Sequence, residues 1–422
     1  MKIENKSIYH QHNEIDKKIQ ENFDYLEIKR RNRAIKYVLF ILSAFGVLNM
    51  LSIGFYTENL FSVKKYIAII TGSFIFVKGF TSCFKYELYR KKYMILSLLI
   101  GSMLILLLVV YGPSSVAKSV KGAKGWLDLK ITTVQPSEMI KIPFVILMAN
   151  ILAKGEEKKL PIKTVISNSV FLLGLFGILI CLQNDLGTVI HYGAIYLFML
   201  FFTKIDKKII IKIVSLAGAV GFSGAYLIYK YGDKITWGGY KVERIKMYLE
   251  GLIKDNYVGN ADIGYQVGQS LMAFGNGGII GRSYGSGVQK YDYLPEIHTD
   301  FIMALFGEEM GFIGLLVVIF LFFILYKLIM ETGIKCKDSF GRYLAVGVAG
   351  YIITQFLINI FVALGLLPVF GIPMPIFSYG GSSIITIFAA VGIVININKS
   401  MFDKKQNKMY NYPYTLWFID RR

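Results

Sequence analysis

Residues 310–326 read MGFIGLLVVIFLFFILY, a run of 17 residues that contains no charged side chain. A helix of about 20 such residues crosses the hydrocarbon core of a bilayer, because each residue adds about 1.5 Å along the helix axis. The whole chain of 422 residues has this character, since hydrophobic residues make up 54% and charged residues 18% of it. A soluble domain carries about 25% charged residues, so the composition instead indicates an all-α, polytopic membrane protein.

Ten apolar runs of bilayer length predict about ten transmembrane helices, with a large outer loop between helices 7 and 8 at about residues 230–300. Residues 1–36 and 398–422 are expected to form terminal segments, on either side of a membrane domain at 37–397. The predicted spans are 37–56, 66–84, 94–112, 138–153, 164–182, 188–202, 209–229, 301–326, 344–364 and 378–397.

The distribution of positive charge predicts which side of the membrane each loop faces. The net charge is +19, from 47 Lys and Arg against 28 Asp and Glu. Thirty-one of the Lys and Arg lie in the two terminal segments and in the loops on the same side of the membrane as the N-terminus, or within one turn of them. Six lie on the short loops of the opposite side. By the positive-inside rule, both termini are cytoplasmic and the chain is a multi-pass protein of the cytoplasmic membrane. The positive charge then faces anionic lipid, and no nucleic-acid partner is expected.

Cysteines, histidines and glycines exclude several other classes. Cys83, Cys181 and Cys336 form no CxxC pair and the four histidines are scattered, so neither a disulfide framework nor a zinc site is expected. The glycine-rich stretch 273–287 lacks the strand–loop–helix context of a nucleotide-binding motif. A nucleotide is therefore not the expected substrate.

Acidic residues near the predicted outer ends of several spans are costly in a membrane protein and therefore informative. Glu138 opens helix 4, and Lys141 follows one turn later on the same face. Asp185 lies in the turn between helices 5 and 6, and Asp300 directly precedes helix 8. We expect these side chains to share a polar cavity. Glu138 and Lys141 could equally neutralise each other as a buried pair, and the two aspartates could cap the helices that follow them.

The predicted outer loop between helices 3 and 4 departs from the charge rule. It carries Lys118, Lys121, Lys124 and Lys130 against a single acid, Asp128. A basic loop beside a cavity suits an anionic substrate, such as a lipid-linked diphosphate. A solvated lysine-rich loop without a ligand is the alternative.

Several segments, taken together and in order, resemble the shape, elongation, division and sporulation (SEDS) family, which includes RodA, FtsW and SpoVE. The resemblance extends from about helix 1 to helix 10. One departure is Gly125, which stands where the family usually has an arginine, with Lys124 one position away. The segments are 122–129 (GAKGWLDL), 135–141 (QPSEMIK), 184–188 (NDLGT), 264–270 (GYQVGQS), 285–290 (GSGVQK), 294–301 (LPEIHTDF) and 365–383 (GLLPVFGIPMPIFSYGGSS).

The resemblance implies a peptidoglycan glycosyltransferase that works in cell elongation, division or sporulation. Such an enzyme polymerises lipid II, the undecaprenyl-diphosphate-linked disaccharide, into a growing undecaprenyl-diphosphate-linked glycan at the outer face of the cytoplasmic membrane. It works with a class B penicillin-binding protein. The family implies no certain cofactor, and a divalent cation, Mg²⁺ or Mn²⁺, is left open. A lipid II flippase and a non-catalytic scaffold for a penicillin-binding protein are the alternatives.

The resemblance also assigns roles to individual residues. Asp300 matches an essential outer-loop aspartate and would act as general base. Glu138 and Lys141 match an acid and a lysine that organise the cavity, and Asp185 matches the aspartate of the turn between helices 5 and 6. These four are the predicted catalytic residues. The predicted substrate-binding residues are Lys124, Trp126, Gln135, Arg244, Gln266, Gln269, Lys290, Glu296, His298, Ser378, Ser382 and Ser383.

Overall fold

The computed structural model describes residues 2–56, 60–83, 85–120, 122–130, 133–232, 239–254 and 263–410. Helices dominate it, as expected for a chain in lipid, where backbone groups find no partner outside the protein. The helices are α1 (Lys2–Tyr56), α2 (Leu60–Cys83), α3 (Lys92–Tyr111), α4 (Pro136–Met139), α5 (Lys141–Glu157), α6 (Ile162–Leu182), α7 (Leu186–Phe201), α8 (Lys207–Tyr231), α9 (Gly239–Lys254), α10 (Ile263–Gly277), α11 (Ile302–Lys335), α12 (Ser339–Ala363) and α13 (Gly381–Tyr410), with a short 3-10 helix at Tyr86–Arg90.

Nine helical segments of the described chain are long and apolar enough to cross a membrane, with α4 and α5 counted as one. α7 is apolar but shorter, at 16 residues. The predicted all-α polytopic fold is therefore confirmed. The loop predicted at 230–300 contains α9 and α10, although 233–238 and 255–262 lie outside the described residues.

The terminal helices run past the predicted domain boundaries. α1 continues without a break through residue 36, and α13 continues beyond residue 397. The boundaries proposed from the sequence are therefore not marked by a change of backbone structure. Residues 411–422 of the predicted tail lie outside the described residues.

α5, α12 and α13 form the centre of the bundle. About four-fifths of the apolar window of each is buried (78%), against 17% for α3 and 6% for α8. α12 packs against α5, α7 and α11, and α13 packs against α2. Helices that face lipid over most of their surface thus surround a core made from the last third of the chain together with α5.

A small antiparallel sheet fills the connection between α3 and α4, where the sequence analysis predicted a loop. Its strands are β1 (Ala117–Val120), β2 (Ala123–Asp128) and β3 (Thr133–Val134), paired in that order. Lys118 on β1 and Asp128 on β2 form an ion pair at 2.5 Å. The hydrogen bond from Lys118 lowers the pKa of Asp128 below its usual value. The sheet gives Trp126 a defined position on β2.

Ion pairs join helix ends at the end of the bundle opposite the sheet. Glu156 at the end of α5 accepts hydrogen bonds from Lys204 (2.8 Å) and from Arg342 of α12 (2.6 Å). Arg90, in the 3-10 helix, pairs with Glu157. These side chains are partly exposed, so each pair contributes little to stability by itself. Together they hold α5, α12 and the loop after α7 in register.

α11 is broken at Gly311, whose φ of 67° and ψ of −171° lie outside the helical region. A break releases backbone groups from the helix, and such groups are costly in lipid unless protein satisfies them. The Phe312 N–H donates to the Gly278 carbonyl (2.9 Å). The Ile313 N–H donates to the Ile279 carbonyl (3.1 Å). The segment that follows α10 therefore replaces the missing turn of α11.

Two adjacent glutamates of α11 bind the segment that follows α10, residues 278–290, which is here called the inserted segment. Glu309 accepts hydrogen bonds from Ser52 of α1 (2.6 Å), from Lys290 (3.0 Å) and from the Gly287 N–H (3.3 Å). Glu308 accepts a hydrogen bond from the Gln289 N–H (3.0 Å). Both carboxylates are buried, so these bonds compensate a large desolvation cost. The inserted segment, residues 278–290, is thereby fixed to α11 and α1.

Gly311→Ala tests the importance of this break. A Cβ at residue 311 would lie 2.3 Å from the Gly281 nitrogen and 2.6 Å from the Ile279 carbonyl oxygen, in a backbone conformation that suits glycine. We expect a loss of roughly 3 kcal/mol of stability or more, seen as a lower thermal midpoint of the detergent-solubilised protein. The control is Gly221→Ala in α8, where nothing lies within 4 Å of the added Cβ. Equal midpoints for the two variants would contradict the inserted-segment model.

Candidate active site

A cavity of about 380 Å³ lies at one end of the helical bundle. Its walls come from parts of the chain that are distant in sequence: the start of α2, the sheet with α4, the turn between α6 and α7, α10, and the segments that precede α11 and α13. Nine of the sixteen residues predicted for the site line this cavity. They are Trp126, Gln135, Glu138, Asp185, Gln266, Glu296, Asp300, Ser382 and Ser383.

Asp300 is held by its backbone at the cavity wall. The Asn359 side-chain amide of α12 donates to the Asp300 carbonyl (2.9 Å) and to the Ile372 carbonyl (2.9 Å). One core side chain thus joins the segments that precede α11 and α13. The N-cap of α11 is Phe301, so Asp300 does not cap that helix. A carboxylate oxygen of Asp300 lies 3.8 Å from the Cβ position of Gly371, in the segment that precedes α13.

Asp185 both caps a helix and lines the cavity. Its carboxylate accepts hydrogen bonds from the Thr188 N–H (3.2 Å) and the Thr188 hydroxyl (2.8 Å), which satisfies the start of α7. The Gln135 side-chain amide donates to the same carboxylate (2.8 Å). The capping role and the cavity position therefore do not exclude each other.

Glu138 and Lys141 form a fully buried ion pair. The Lys141 ammonium donates to one carboxylate oxygen of Glu138, and the side-chain exposures are 0% and 3%. The ammonium also lies 5.5 Å from the ring centroid of Tyr351, which adds a cation–π contact. Glu138 lines the cavity, whereas Lys141 lies behind it and does not. The Glu138–Lys141 pair that the sequence suggested is therefore present, and only its carboxylate lines the cavity.

The start of α13 supplies two of the lining hydroxyls. The Ser382 hydroxyl accepts a hydrogen bond from the Gln135 N–H (3.1 Å). The Gln355 side-chain amide of α12 donates to the Ser383 hydroxyl (3.0 Å) and to the Pro373 carbonyl (2.8 Å). These bonds connect α4, α12 and α13 around the cavity.

His298 and Ser378 lie close to the cavity but do not line it. The Tyr379 N–H donates to the His298 carbonyl (2.9 Å), which joins the segments before α11 and α13, and the His298 side chain is exposed. Ser378 is buried, and its hydroxyl donates to the Met374 carbonyl (2.7 Å). Both residues therefore support the loops that carry the lining side chains.

The remaining predicted residues lie elsewhere. Lys124 donates to two carbonyls at the C-terminal end of α3, each at 3.0 Å. Lys290 belongs to the network on Glu309, and Gln269 of α10 is not among the lining residues. The Arg244 side chain lies outside the described part of the structure. In the described chain, these lysines fasten the structure around the cavity.

The cavity is acidic, and it includes residues that sequence reasoning missed. Among them are Lys65, Thr133, Thr299 and Tyr379. Thr299 and Tyr379 lie inside the quoted motifs, so the sequence held a signal that they belong to the site. Lys65 lies outside every quoted motif, so the sequence held no such signal for it. Within the described residues, no group of three His, Cys, Asp or Glu side chains could hold a metal ion. These side chains alone therefore do not form a Mg²⁺ or Mn²⁺ cage.

The fold and the site together define a class: a polytopic membrane protein with a carboxylate-lined cavity at one end of its helical bundle. Comparison with known proteins identifies the family. The chain belongs to the FtsW/RodA/SpoVE family, because the family model described as "Cell cycle protein" matches residues 32–402. This finding confirms the resemblance stated from the motifs.

Individual relatives agree with this assignment. A probable peptidoglycan glycosyltransferase FtsW from Geobacter sp. (strain M18) is 36% identical over 298 residues, which cover 70% of this chain and 76% of the relative. A probable peptidoglycan glycosyltransferase FtsW from Bacillus subtilis (strain 168) is 31% identical over 407 residues, which cover 94% of this chain and 95% of the relative.

Solved structures share the fold at lower identity. A chain of a peptidoglycan synthase complex, studied for its coordination of polymerization and crosslinking, matches with a TM-score of 0.68 and 21% identity, over 87% of this chain and 97% of that chain. The rod shape determining protein RodA of Thermus thermophilus matches with a TM-score of 0.61 and 21% identity, over 87% and 96% of the two chains.

Glu138→Ala tests the buried pair. The change leaves the Lys141 ammonium buried without its partner, at a cost of about 3–5 kcal/mol. We expect the thermal midpoint in detergent to fall sharply, and the double variant Glu138→Ala/Lys141→Met to recover most of the loss. The control is Asp128→Asn, which breaks a partly exposed pair and should change the midpoint little. A wild-type midpoint for Glu138→Ala would show that the pair does not support the fold.

Proposed function

We propose that this chain polymerises lipid II into glycan strands, as a peptidoglycan glycosyltransferase of its family. The observation that supports this most is the convergence of Glu138, Asp185 and Asp300 on one cavity of about 380 Å³. The three carboxylates come from separate segments, and each segment carries a motif of the family. A carboxylate-lined cavity in a membrane protein suits a substrate with a polar sugar head and an apolar tail.

Asp300 acts as the general base in this proposal. Its carboxylate takes the proton from a hydroxyl group of the acceptor sugar, while that oxygen attacks the anomeric carbon of the lipid-linked strand. The bond from the anomeric carbon to the diphosphate oxygen breaks, and its electron pair leaves with the polyprenyl diphosphate. The new glycosidic bond forms on the opposite face, so the configuration at the anomeric carbon is inverted.

Other lining residues bind and orient the sugars. Trp126 offers an aromatic face, and Gln135, Gln266 and the hydroxyl of Ser382 offer hydrogen-bonding groups at the cavity. Glu138 has Lys141 as its partner, and Asp185 accepts three hydrogen bonds; these contacts suit both carboxylates to an organising role. Such orientation contributes to catalysis because it holds the reacting atoms close together.

The proposed membrane topology places the cavity at the outer face of the cytoplasmic membrane. The bundle has the cavity at one end and the ion pairs of Arg90, Lys204 and Arg342 at the other. The excess of Lys and Arg on the latter side supports cytoplasmic termini. Peptidoglycan lies outside this membrane, so the polymer would form on the correct side.

The proposed partner is a class B penicillin-binding protein that crosslinks the new strand. This proposal rests on the family and on the structural neighbour from a peptidoglycan synthase complex. The proposed role is in elongation, division or sporulation. In each case a glycan polymerase and a crosslinking enzyme must act on the same strand.

Asp300→Asn tests the general base. Purified protein with its partner receives lipid II, and the glycan product is separated on a gel. Removal of the base should lower the polymerisation rate by about 10²–10⁴-fold, while Asp128→Asn, an acid outside the cavity, should retain the wild-type rate. Both variants are checked for an unchanged elution volume in detergent.

The same preparation distinguishes the alternatives. Polymerisation by Asp300→Asn at the wild-type rate would remove Asp300 from the role of base. Translocation of lipid II across vesicles without polymer would favour a flippase. Polymer that the partner makes by itself, and makes faster when this chain is present, would favour a scaffold.

A further inference from the structure

The cavity contains one lysine that no motif predicted. Within the described residues, Lys65 is the single Lys, Arg or His side chain that lines the cavity, together with the carboxylates of Glu138, Asp185, Glu296 and Asp300. Lys65 is half-buried, and it forms no hydrogen bond or ion pair with a described residue. Glu138 already has Lys141 as its partner, so among the described lining residues Lys65 is the cation that an entering anion can contact.

The position of this part of α2 is fixed. The neighbouring hydroxyl of Tyr66 donates to the Ile376 carbonyl and lies 3.1 Å from the Phe377 carbonyl oxygen. One turn further along α2, the Ile69 side chain lies 3.2 Å from the Cβ position of Gly381. α2 is thereby attached to the segment that precedes α13 and to the start of α13, and Lys65 is held at the cavity.

A continuous stripe of α2 leads from the cavity to the lipid-facing surface. Lys65, Ile69, Gly72 and Phe76 are spaced i, i+4, i+7 and i+11, which places them on one face of the helix. Nothing lies within 4 Å of a Cβ added at Gly72, and Phe76 is 46% exposed. The stripe begins with a cation, passes Ile69 where it packs against the start of α13, and reaches the surface at Gly72 and Phe76. This order of groups suits an anion that is linked to a lipid chain.

Building on the proposed function, we propose that Lys65 binds the diphosphate of the lipid-linked substrate. The polyprenyl chain leaves the cavity along Ile69, Gly72 and Phe76. The ammonium donates charge-assisted hydrogen bonds to the diphosphate oxygens, and these strengthen as the bond to the anomeric carbon breaks and charge develops on the leaving group. The stripe keeps the apolar chain in the bilayer while the head is in the cavity.

Binding of undecaprenyl diphosphate, measured in phosphatidylcholine nanodiscs, tests the head contact. Lys65→Met should weaken binding roughly tenfold, the value of one charge-assisted contact, and Lys65→Arg should retain most of it. Lys64→Met is the matched control, because Lys64 is the adjacent lysine, is exposed and does not line the cavity. Undecaprenol, which lacks the diphosphate, should bind Lys65→Met and wild type equally.

Gly72→Phe tests the path of the chain. The new ring fills the open space beside α2, so both undecaprenyl diphosphate and undecaprenol should bind less tightly. Gly101→Phe in α3, another glycine with nothing within 4 Å of an added Cβ, should bind both as wild type does. Inorganic pyrophosphate should displace undecaprenyl diphosphate poorly, because it cannot occupy the stripe.

These experiments measure lipid binding and not polymerisation, so the Lys65 proposal can fail or succeed independently of the proposed function. The Lys65 assignment is overturned if Lys65→Met binds undecaprenyl diphosphate as wild type does, or if Lys64→Met loses as much. The chain path is overturned if Gly72→Phe binds normally, or if pyrophosphate competes as well as the lipid. A protein that shows Lys65-dependent binding but no polymer would reject the polymerase and keep the diphosphate site.

Discussion

The requirement that every backbone polar group in lipid find a partner within the protein governs this structure. It makes most of the described chain helical, and it explains how the break in α11 is tolerated. At Gly311 the released N–H groups of α11 bond to carbonyls of the segment that follows α10. The same segment is fixed by Lys290 and Glu309, and the chain continues from it to Asp300. The break in α11 thus fixes the start of the connection that carries the proposed base, and Asn359 holds its end.

The polar groups around the cavity show how a membrane protein retains charge near its site. Asp185 stabilises the start of α7 and still faces the cavity. Glu138 has Lys141 behind it and still faces the cavity. Asn359 is buried in the core and joins two loops through their carbonyls. Asp185 and Glu138 each have a structural partner on one side and the cavity on the other, so side chains that stabilise the fold also line the proposed site.

Much of the fold could be predicted from the sequence, because bilayer length and apolar composition are local properties. The span predicted at 164–182 corresponds to α6 (Ile162–Leu182), within two residues at its start and with the same last residue. The break at Gly311 could not be predicted, since its cause is a close approach of Gly281, thirty residues earlier. Motif membership predicted the lining acids, yet Lys124 and Lys290 from the same motifs lie away from the cavity. A motif does not distinguish residues that line a site from residues that hold it in place.

The helices that carry the two proposed groups differ in a way that suits the proposed inverting displacement. In that reaction, attack and departure occur on opposite faces of the anomeric carbon, so the proposed base and the diphosphate would contact the sugar from opposite sides. Asp300 is attached through Asn359 to α12, a central helix. Lys65 belongs to α2, most of whose surface is exposed to lipid. A polyprenyl chain can leave only toward lipid, so in the proposed reaction the diphosphate lies at Lys65 of α2, and the proposed base is Asp300, on the segment that the central helix α12 holds.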